Sequence, residues 1–387
     1  MKASQRRLLE LKTQVPEISV TQAAELQEQG AILVDVREPD EVAAGSPLGA
    51  ERIVRGFLEL RIEEQVPDFD QTVLVMCAGG ARSLFAARDL QEMGYTDVKS
   101  VAGGFNAWKN ASLPVDVPRV LSDDERERYG RHLLIPEVGE KGQAKLLDSK
   151  ILMIGAGGLG SPAAFYLAAA GVGTIGIIDD DVVDRSNLQR QILHTDDRVG
   201  TPKVESAKKT LLGLNPSLNV VTYQKRLVAS NVEEILEGYD LVVDGCDNFS
   251  TRYLVNDACV KLGIPNVHGS IFRFEGQVSV FWPKYPGRRG PCYRCLFAEP
   301  PPPELAPSCA EAGVLGVLPG VIGTLEAVEA VKVLLDIGEP LVGRLLVYDA
   351  AKQRVTELKI DHNPDCPVCG DHVEEIEYQE YGAVCAV

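Results

Sequence analysis

Nine cysteines sit in this chain, and four of them form two Cys-x-x-Cys pairs, Cys292/Cys295 and Cys366/Cys369. In a reducing compartment disulfides are rare, so such pairs read as metal ligands or reactive thiols. Two pairs about 70 residues apart have the spacing of a Cys₄ zinc knuckle. Such a site is closed: four protein ligands leave zinc no open position for a substrate, so its work is structural. A second constellation is Gly155-Ala156-Gly157-Gly158-Leu159-Gly160, after an apolar run and before an Ala-rich one. Glycines there let the turn tighten and let backbone N–H groups approach phosphate at a helix N-terminus. Asp179 follows at the distance where a carboxylate takes ribose hydroxyls. A third is Cys77-Ala78-Gly79-Gly80-Ala81-Arg82-Ser83. A loop of this kind aims N–H groups at the sulfur, and the helix behind it lowers the thiol's pKa. Arg82 is expected to add positive charge at the same point. The product would be a thiolate able to hold a persulfide.

The glycine loop alone would suit a dinucleotide and hydride transfer. A nicotinamide oxidoreductase is therefore the competing reading, and an inactive binding scaffold is a third. Arg131, Arg190 and Lys203 favour a triphosphate, whose β- and γ-oxygens they could hold, with Asp247 for Mg²⁺.

Elements must position these groups. Ala31–Val36 and Thr72–Met76 are apolar runs read as buried strands, the second ending at Cys77, and Ser83–Met93 has helical spacing. Leu113–Arg119, with Pro114 and Pro118, reads as a linker. Ser122 to Glu125 is a capping box that opens a helix through Arg131. Ile151–Ile154, Thr174–Asp179 and Leu241–Asp244 read as strands and Ser161–Ala170 as a helix. Strands alternating with helices predict an α/β fold with a mostly parallel sheet in both halves. The expected domains are 15–118, 122–370 and an acidic tail, 371–387, which has no Lys or Arg and is expected to be mobile or ordered by a partner.

The chain has 387 residues, with 39 Lys and Arg against 56 Asp and Glu, so its net charge is 39 − 56 = −17. That balance excludes nucleic acid or anionic lipid as the main partner. The most apolar stretch, Ala163–Ile178, is interrupted by glycines and too short for a membrane span of about 20 residues. The basic N-terminus lacks an apolar run after it, so no signal peptide is expected, and the location expected is the cytoplasm.

The segments GAGGLGSPAAFYLAAAGVGTIGIID, DVVDRSNLQRQILH, DGCDNFSTRYLVNDAC, RFEGQVSVF, GPCYRCLF, CAEAGVLGVLPGVIG and CPVCG resemble the MoeB/ThiF family, the ubiquitin-activating-like adenylyltransferases of sulfur-carrier proteins. The resemblance implies a Rossmann-like domain with a zinc knuckle, in a homodimer. It implies ATP-site positions at Gly158, Asp179, Ser186, Asn187, Leu188, Gln189, Arg190, Lys203, Asp247 and Asn248, with Arg131 reaching the other protomer's site. It also implies that Cys309 can join the carrier covalently. The substrate would be a small carrier ending in Gly-Gly, with the molybdopterin branch favoured over thiamine, cysteine or tRNA-thiolation carriers. Cys246 and Cys259 are expected in the core, and Cys385 in the tail without a role. The pieces LVDVREPDE, VMCAGGARS and VAGGFNAWKNASLPV resemble the rhodanese family, with Asp35 and Arg37 fixing the domain. The loop has four residues between Cys77 and Arg82, one fewer than related phosphatases, which favours sulfur over phosphate. Gly45-Ser46 stands where rhodaneses often have Gly-His. The two modules together imply adenylation of the carrier, then sulfur transfer from Cys77, with thiosulfate or a cysteine desulfurase as donor.

Overall fold

The computed structural model describes residues 2–117, 119–301 and 313–379. Cys309 and Cys385 lie outside the described residues. The chain divides into two compact units, Met1–Val120 and Leu121–Val387.

In the first unit five strands pair in parallel, in the order Glu17–Ile18, Val98–Val101, Val73–Met76, Ile32–Asp35 and Glu51–Arg52. Alternation decides which face each side chain joins. Val34, Val73 and Val75 pack with Leu84, Ala87 and Leu90 of the helix Ala81–Met93. Leu33, Leu74 and Met76 pack on the other face with Phe105 and Trp108 of the helix Gly104–Asn110. Both faces are covered, which is why these strands read as unbroken apolar runs. Each such side chain contributes roughly 1.5–3 kcal/mol by leaving water. The expected linker is partly folded into this unit: Val115–Asp116 pairs with Ser46–Pro47. Two extended residues after Pro114 supplied a partner strand that the prolines concealed.

The second unit is built on an eight-stranded sheet. Asn219–Tyr223, Thr174–Ile178, Lys150–Ile154, Leu241–Asp244 and Asn266–Phe272 run parallel. Glu275–Phe281, Arg344–Asp349 and Arg354–Lys359 complete it antiparallel. Ile151, Met153, Ile175 and Ile177 face the helices Gly160–Ala170, Lys203–Leu214 and Leu318–Leu335. Leu152, Ile154 and Val242 face Val232–Leu236 and Phe249–Leu262. The capping box at Ser122 forms, but its helix stops at Arg128, and a separate turn, Gly130–Leu133, carries Arg131. The break from the expected continuous helix falls at Tyr129, whose φ of −99° and ψ of 13° leave the helical region, and Gly130 begins the next turn.

The first part of the tail is not free. Ile376 packs against the cysteine cluster, and the Tyr378 hydroxyl donates to Glu233 at 2.9 Å. An apolar residue and an aromatic one among the acids are enough to anchor it. Residues 380–387 lie outside the described residues. Among the described residues no helix is long and apolar enough to cross a membrane.

Candidate active sites

The glycine loop leaves the strand Lys150–Ile154 at Gly155, whose φ of +90° suits glycine. Gly160 opens the next helix, and a Cβ there would stand 2.2 Å from the Gly155 carbonyl oxygen. The helix therefore starts pressed against the strand end, with its N-terminus toward a cleft of about 650 Å³ at the carboxyl ends of the parallel strands.

That cleft brings together Gly155, Gly157, Gly158, Asp179, Arg190, Lys203, Asp247 and Asn248. The Asp179 carboxylate accepts from the Ala156 N–H at 2.8 Å and the Asp181 N–H at 2.9 Å. Burial pushes its pKa up, against the pull of Lys203 and these N–H groups. Lys203 is buried and donates to Asp181 at 2.7 Å. Asn248 accepts from the Thr251 N–H at 2.9 Å and caps the helix Phe249–Leu262.

Other expected residues stand back from the cleft. Ser186 donates its hydroxyl to Asp184 at 2.6 Å in a short turn, Arg185–Asn187. Asn187 accepts from the Arg190 guanidinium at 2.9 Å. Ser186, Asn187, Leu188 and Gln189 thus hold the segment from which Arg190 and the adjacent Gln191 line the cleft. Gly160 shapes the wall without lining it. Arg131 is exposed and does not line the cleft of its own chain.

Among the lining residues that the sequence did not point to are Arg252, His268 and Tyr293. His268 Nδ1 lies 3.1 Å from the buried Asp244 carboxylate, and Arg252 donates to the Cys246 carbonyl at 3.0 Å. Asp244 also accepts from the Cys246 N–H at 3.1 Å. This pins the loop that bears Asp247. Cys246 is buried as expected, yet it belongs to the cleft wall as well as the core. Cys259 is buried in the core.

The two Cys-x-x-Cys pairs meet, with all four sulfurs within 4.8 Å of one another. Cys292 and Cys366 sulfurs are 3.5 Å apart, Cys295 and Cys369 3.4 Å, and Cys292 and Cys295 4.0 Å. Tetrahedral zinc with bonds of about 2.3 Å sets its sulfurs about 3.8 Å apart, so the donor set fits. The Asn363 N–H points at the Cys295 sulfur at 3.4 Å, as expected beside a thiolate.

In the first unit Cys77 follows the strand Val73–Met76 and is 1% exposed. Its sulfur accepts from the Gly80 N–H at 3.2 Å and lies 3.6 Å from the Ser83 hydroxyl. Burial pushes the thiol pKa up, but hydrogen bonding from Ser83, Gly79 and Gly80 outweighs it, and the net shift is down. The Arg82 guanidinium pairs with the Glu41 carboxylate, and the groups that pull the thiol down are the Ser83 hydroxyl and the N–H groups of Ser83, Gly79 and Gly80. Asp35 and Arg37 form the expected pair, at 2.6 Å and buried. Ser46 donates to Asp35 at 2.7 Å and Arg37 reaches the Gly45 carbonyl at 2.6 Å, so a serine ties down the turn where a histidine was missed.

Residues 129–368 match the model of the ThiF family. The chain belongs to that family. Residues 19–111 match the rhodanese-like domain. The chain is similar to the SAMP-activating enzyme E1 of Haloferax volcanii, 53% identical over 268 residues, 68% of this chain and 97% of the relative. It is also similar to the sulfur carrier protein adenylyltransferase of Thermus thermophilus, 53% identical over 265 residues, 68% and 98%. To the probable adenylyltransferase/sulfurtransferase MoeZ of Mycobacterium tuberculosis it is 49% identical over 279 residues, 72% and 70%. The adenylyltransferase and sulfurtransferase class expected from the sequence is the class of these relatives. A solved structure of E. coli MccB shares the fold, with a TM-score of 0.56 at 22% identity, over 64% of this chain and 76% of that one.

Proposed function

We propose that this ThiF-family enzyme adenylates the C-terminal Gly-Gly carboxylate of a small sulfur-carrier protein and converts it to a thiocarboxylate with sulfur from Cys77. The observation that carries the reading is one cleft holding the glycine loop, Asp179, Arg190, Lys203 and Asp247. A carrier carboxylate oxygen attacks the α-phosphorus of ATP, and the bond to the pyrophosphate oxygen breaks. Loop N–H groups, Arg190 and Lys203 take the charge of the leaving pyrophosphate. Asp247 would hold the Mg²⁺ that accompanies ATP, through a hard oxygen ligand. The chemistry is positioning and charge stabilisation, with no protein nucleophile in this half.

In the second half the terminal sulfur of a Cys77 persulfide attacks the acyl carbon, and AMP leaves. A second thiol then attacks Cys77 sulfur and frees the thiocarboxylate. Cys309 is the residue we assign to that thiol, or to direct capture of the carrier. The four clustered cysteines would hold one structural Zn²⁺. The molybdopterin-synthase small-subunit type is the carrier we favour, in a cytoplasmic homodimer with Arg131 reaching the other protomer. The sulfur donor is thiosulfate or a cysteine desulfurase. The domain limits we assign are 15–118 and 122–370, followed by the tail.

Carrier-dependent exchange of pyrophosphate into ATP tests the first half. Asp247→Ala abolishes it, and Cys77→Ala leaves it intact while ending thiocarboxylate formation. Normal exchange by Asp247→Ala would remove the assigned role of that carboxylate.

A further inference from the structure

His194 is 5% exposed and does not line the cleft, yet both ring nitrogens are engaged. Nε2 is 2.9 Å from the Ala156 carbonyl oxygen, inside the glycine loop. Nδ1 is 3.0 Å from the Ser206 hydroxyl, on the helix Lys203–Leu214. Burial holds the ring neutral against the pull of the Ala156 carbonyl, and Lys203 and Arg198 add repulsion against a second proton. A carbonyl can only accept, so Nε2 carries the single proton and Nδ1 accepts from the Ser206 hydroxyl.

These two bonds close a circuit. The Ala156 N–H is held by Asp179, Asp179 also takes the Asp181 N–H, and Asp181 takes the Lys203 ammonium. Lys203 and Ser206 stand one turn apart on the same helix, and Ser206 leads back through His194 to the other side of the Ala156 residue. The glycine loop, the acidic segment and the lysine helix are three separate elements of the chain, and each is tied to the next. Glycines make the loop the softest of the three.

We propose that His194 is a positioning residue for ATP: it locks the glycine loop to the helix that carries Lys203, so that loop N–H groups and the ammonium address the same polyphosphate. This rests on the adenylation reading above. The role is indirect, because the imidazole itself reaches no ligand. It sets the distance between two groups that do.

The test is equilibrium ATP binding to the full-length protein by calorimetry, with thermal unfolding run in parallel. His194→Phe keeps the ring volume and loses both bonds, and ATP affinity falls about tenfold. His194→Gln can still donate to Ala156, and it recovers most of that loss. Ser206→Ala weakens binding about threefold, and adding it to His194→Phe weakens binding no further, because the two act through one link. A purely structural histidine would lower the melting temperature and leave the affinity of the folded protein unchanged. Wild-type affinity in His194→Phe, or no recovery in His194→Gln, overturns the inference. Should His194→Phe fail to fold, Ser206→Ala decides alone, and unchanged affinity there is fatal. Absence of ATP binding by the wild type removes the functional reading together with this one, whereas wild-type binding with no loss in the variants removes this one only.

Discussion

Arg82 and Glu41 are joined by two hydrogen bonds, of 2.7 and 2.6 Å, at the end of the loop that starts with Cys77. The pair links the cysteine loop to the short helix Pro39–Val42, and so to the segment that follows Asp35 and Arg37. It ties the far end of the cysteine loop to that helix, with the guanidinium ion-paired.

The pair makes stability pH-dependent. The hydrogen bond from Arg82 pulls the Glu41 pKa from 4.5 down to about 2. A depressed carboxylate stabilises the fold fully above its unfolded value and loses that contribution as pH falls through its folded one. Glu41→Gln is therefore less stable than wild type at neutral pH, by about 1 kcal/mol or less since the pair is partly exposed. The gap closes between pH 4.5 and about pH 2. Urea unfolding of both proteins at several pH values measures it, and a constant gap down to pH 2 would discard the pair as its source.

The Cys77 thiol is made acidic by neutral donors. Alkylation of Cys77, followed by peptide mass spectrometry, shows a midpoint below that of an ordinary cysteine. Ser83→Ala moves the midpoint up, while Glu41→Gln changes it far less. A larger change in Glu41→Gln would mean that charge, and not the loop's N–H and O–H groups, governs this thiol.

Zinc should be present at one ion per chain. Cys366→Ser lowers metal content and thermal stability together, with a loss of roughly 10 °C in Tm for a structural site of this kind. Plasma emission analysis of freshly purified wild-type protein that finds no zinc refutes the assignment.

Arg131 stands outside its own cleft. Equal mixtures of Arg131→Ala and Asp247→Ala chains, each inactive alone, regain about a quarter of wild-type exchange activity. Random pairing makes about half the dimers mixed, and each mixed dimer holds one intact site. Mixed dimers that form and stay inactive would return Arg131 to a role in its own chain or to none.

What was legible in the sequence was local. Gly155 to Gly160, Cys77 to Arg82 and the two Cys-x-x-Cys pairs are spacings within a few residues, and the chemistry they serve demands those spacings. Leu241–Asp244 was readable because a strand buried on both faces leaves an apolar run. The antiparallel half of the second sheet was not, since pairing of Glu275–Phe281 with Arg344–Asp349 joins distant segments. Arg82 illustrates the same limit. Its partner lies 41 residues away, so its charge was assigned to the nearer sulfur. His194 closes the segment DVVDRSNLQRQILH, but nothing in that segment pointed to its bonds with a carbonyl 38 residues before it and a hydroxyl 12 after.

The cysteine cluster has a consequence for the order in which the molecule is made. Cys366 lies 74 residues after Cys292, and between them come the helix Leu318–Leu335 and the two outermost strands of the second sheet. During translation the first unit emerges early and can fold by itself on the ribosome. The four cysteines cannot come together until residue 369 has been synthesised. Until then Cys292 and Cys295 are an unmatched thiol pair in a nascent polypeptide, and the sheet lacks its last strands. Capture of the proposed metal would thus come late in biogenesis, and a ribosome that stops short of residue 366 yields a sulfurtransferase half attached to an activating half that was never sealed.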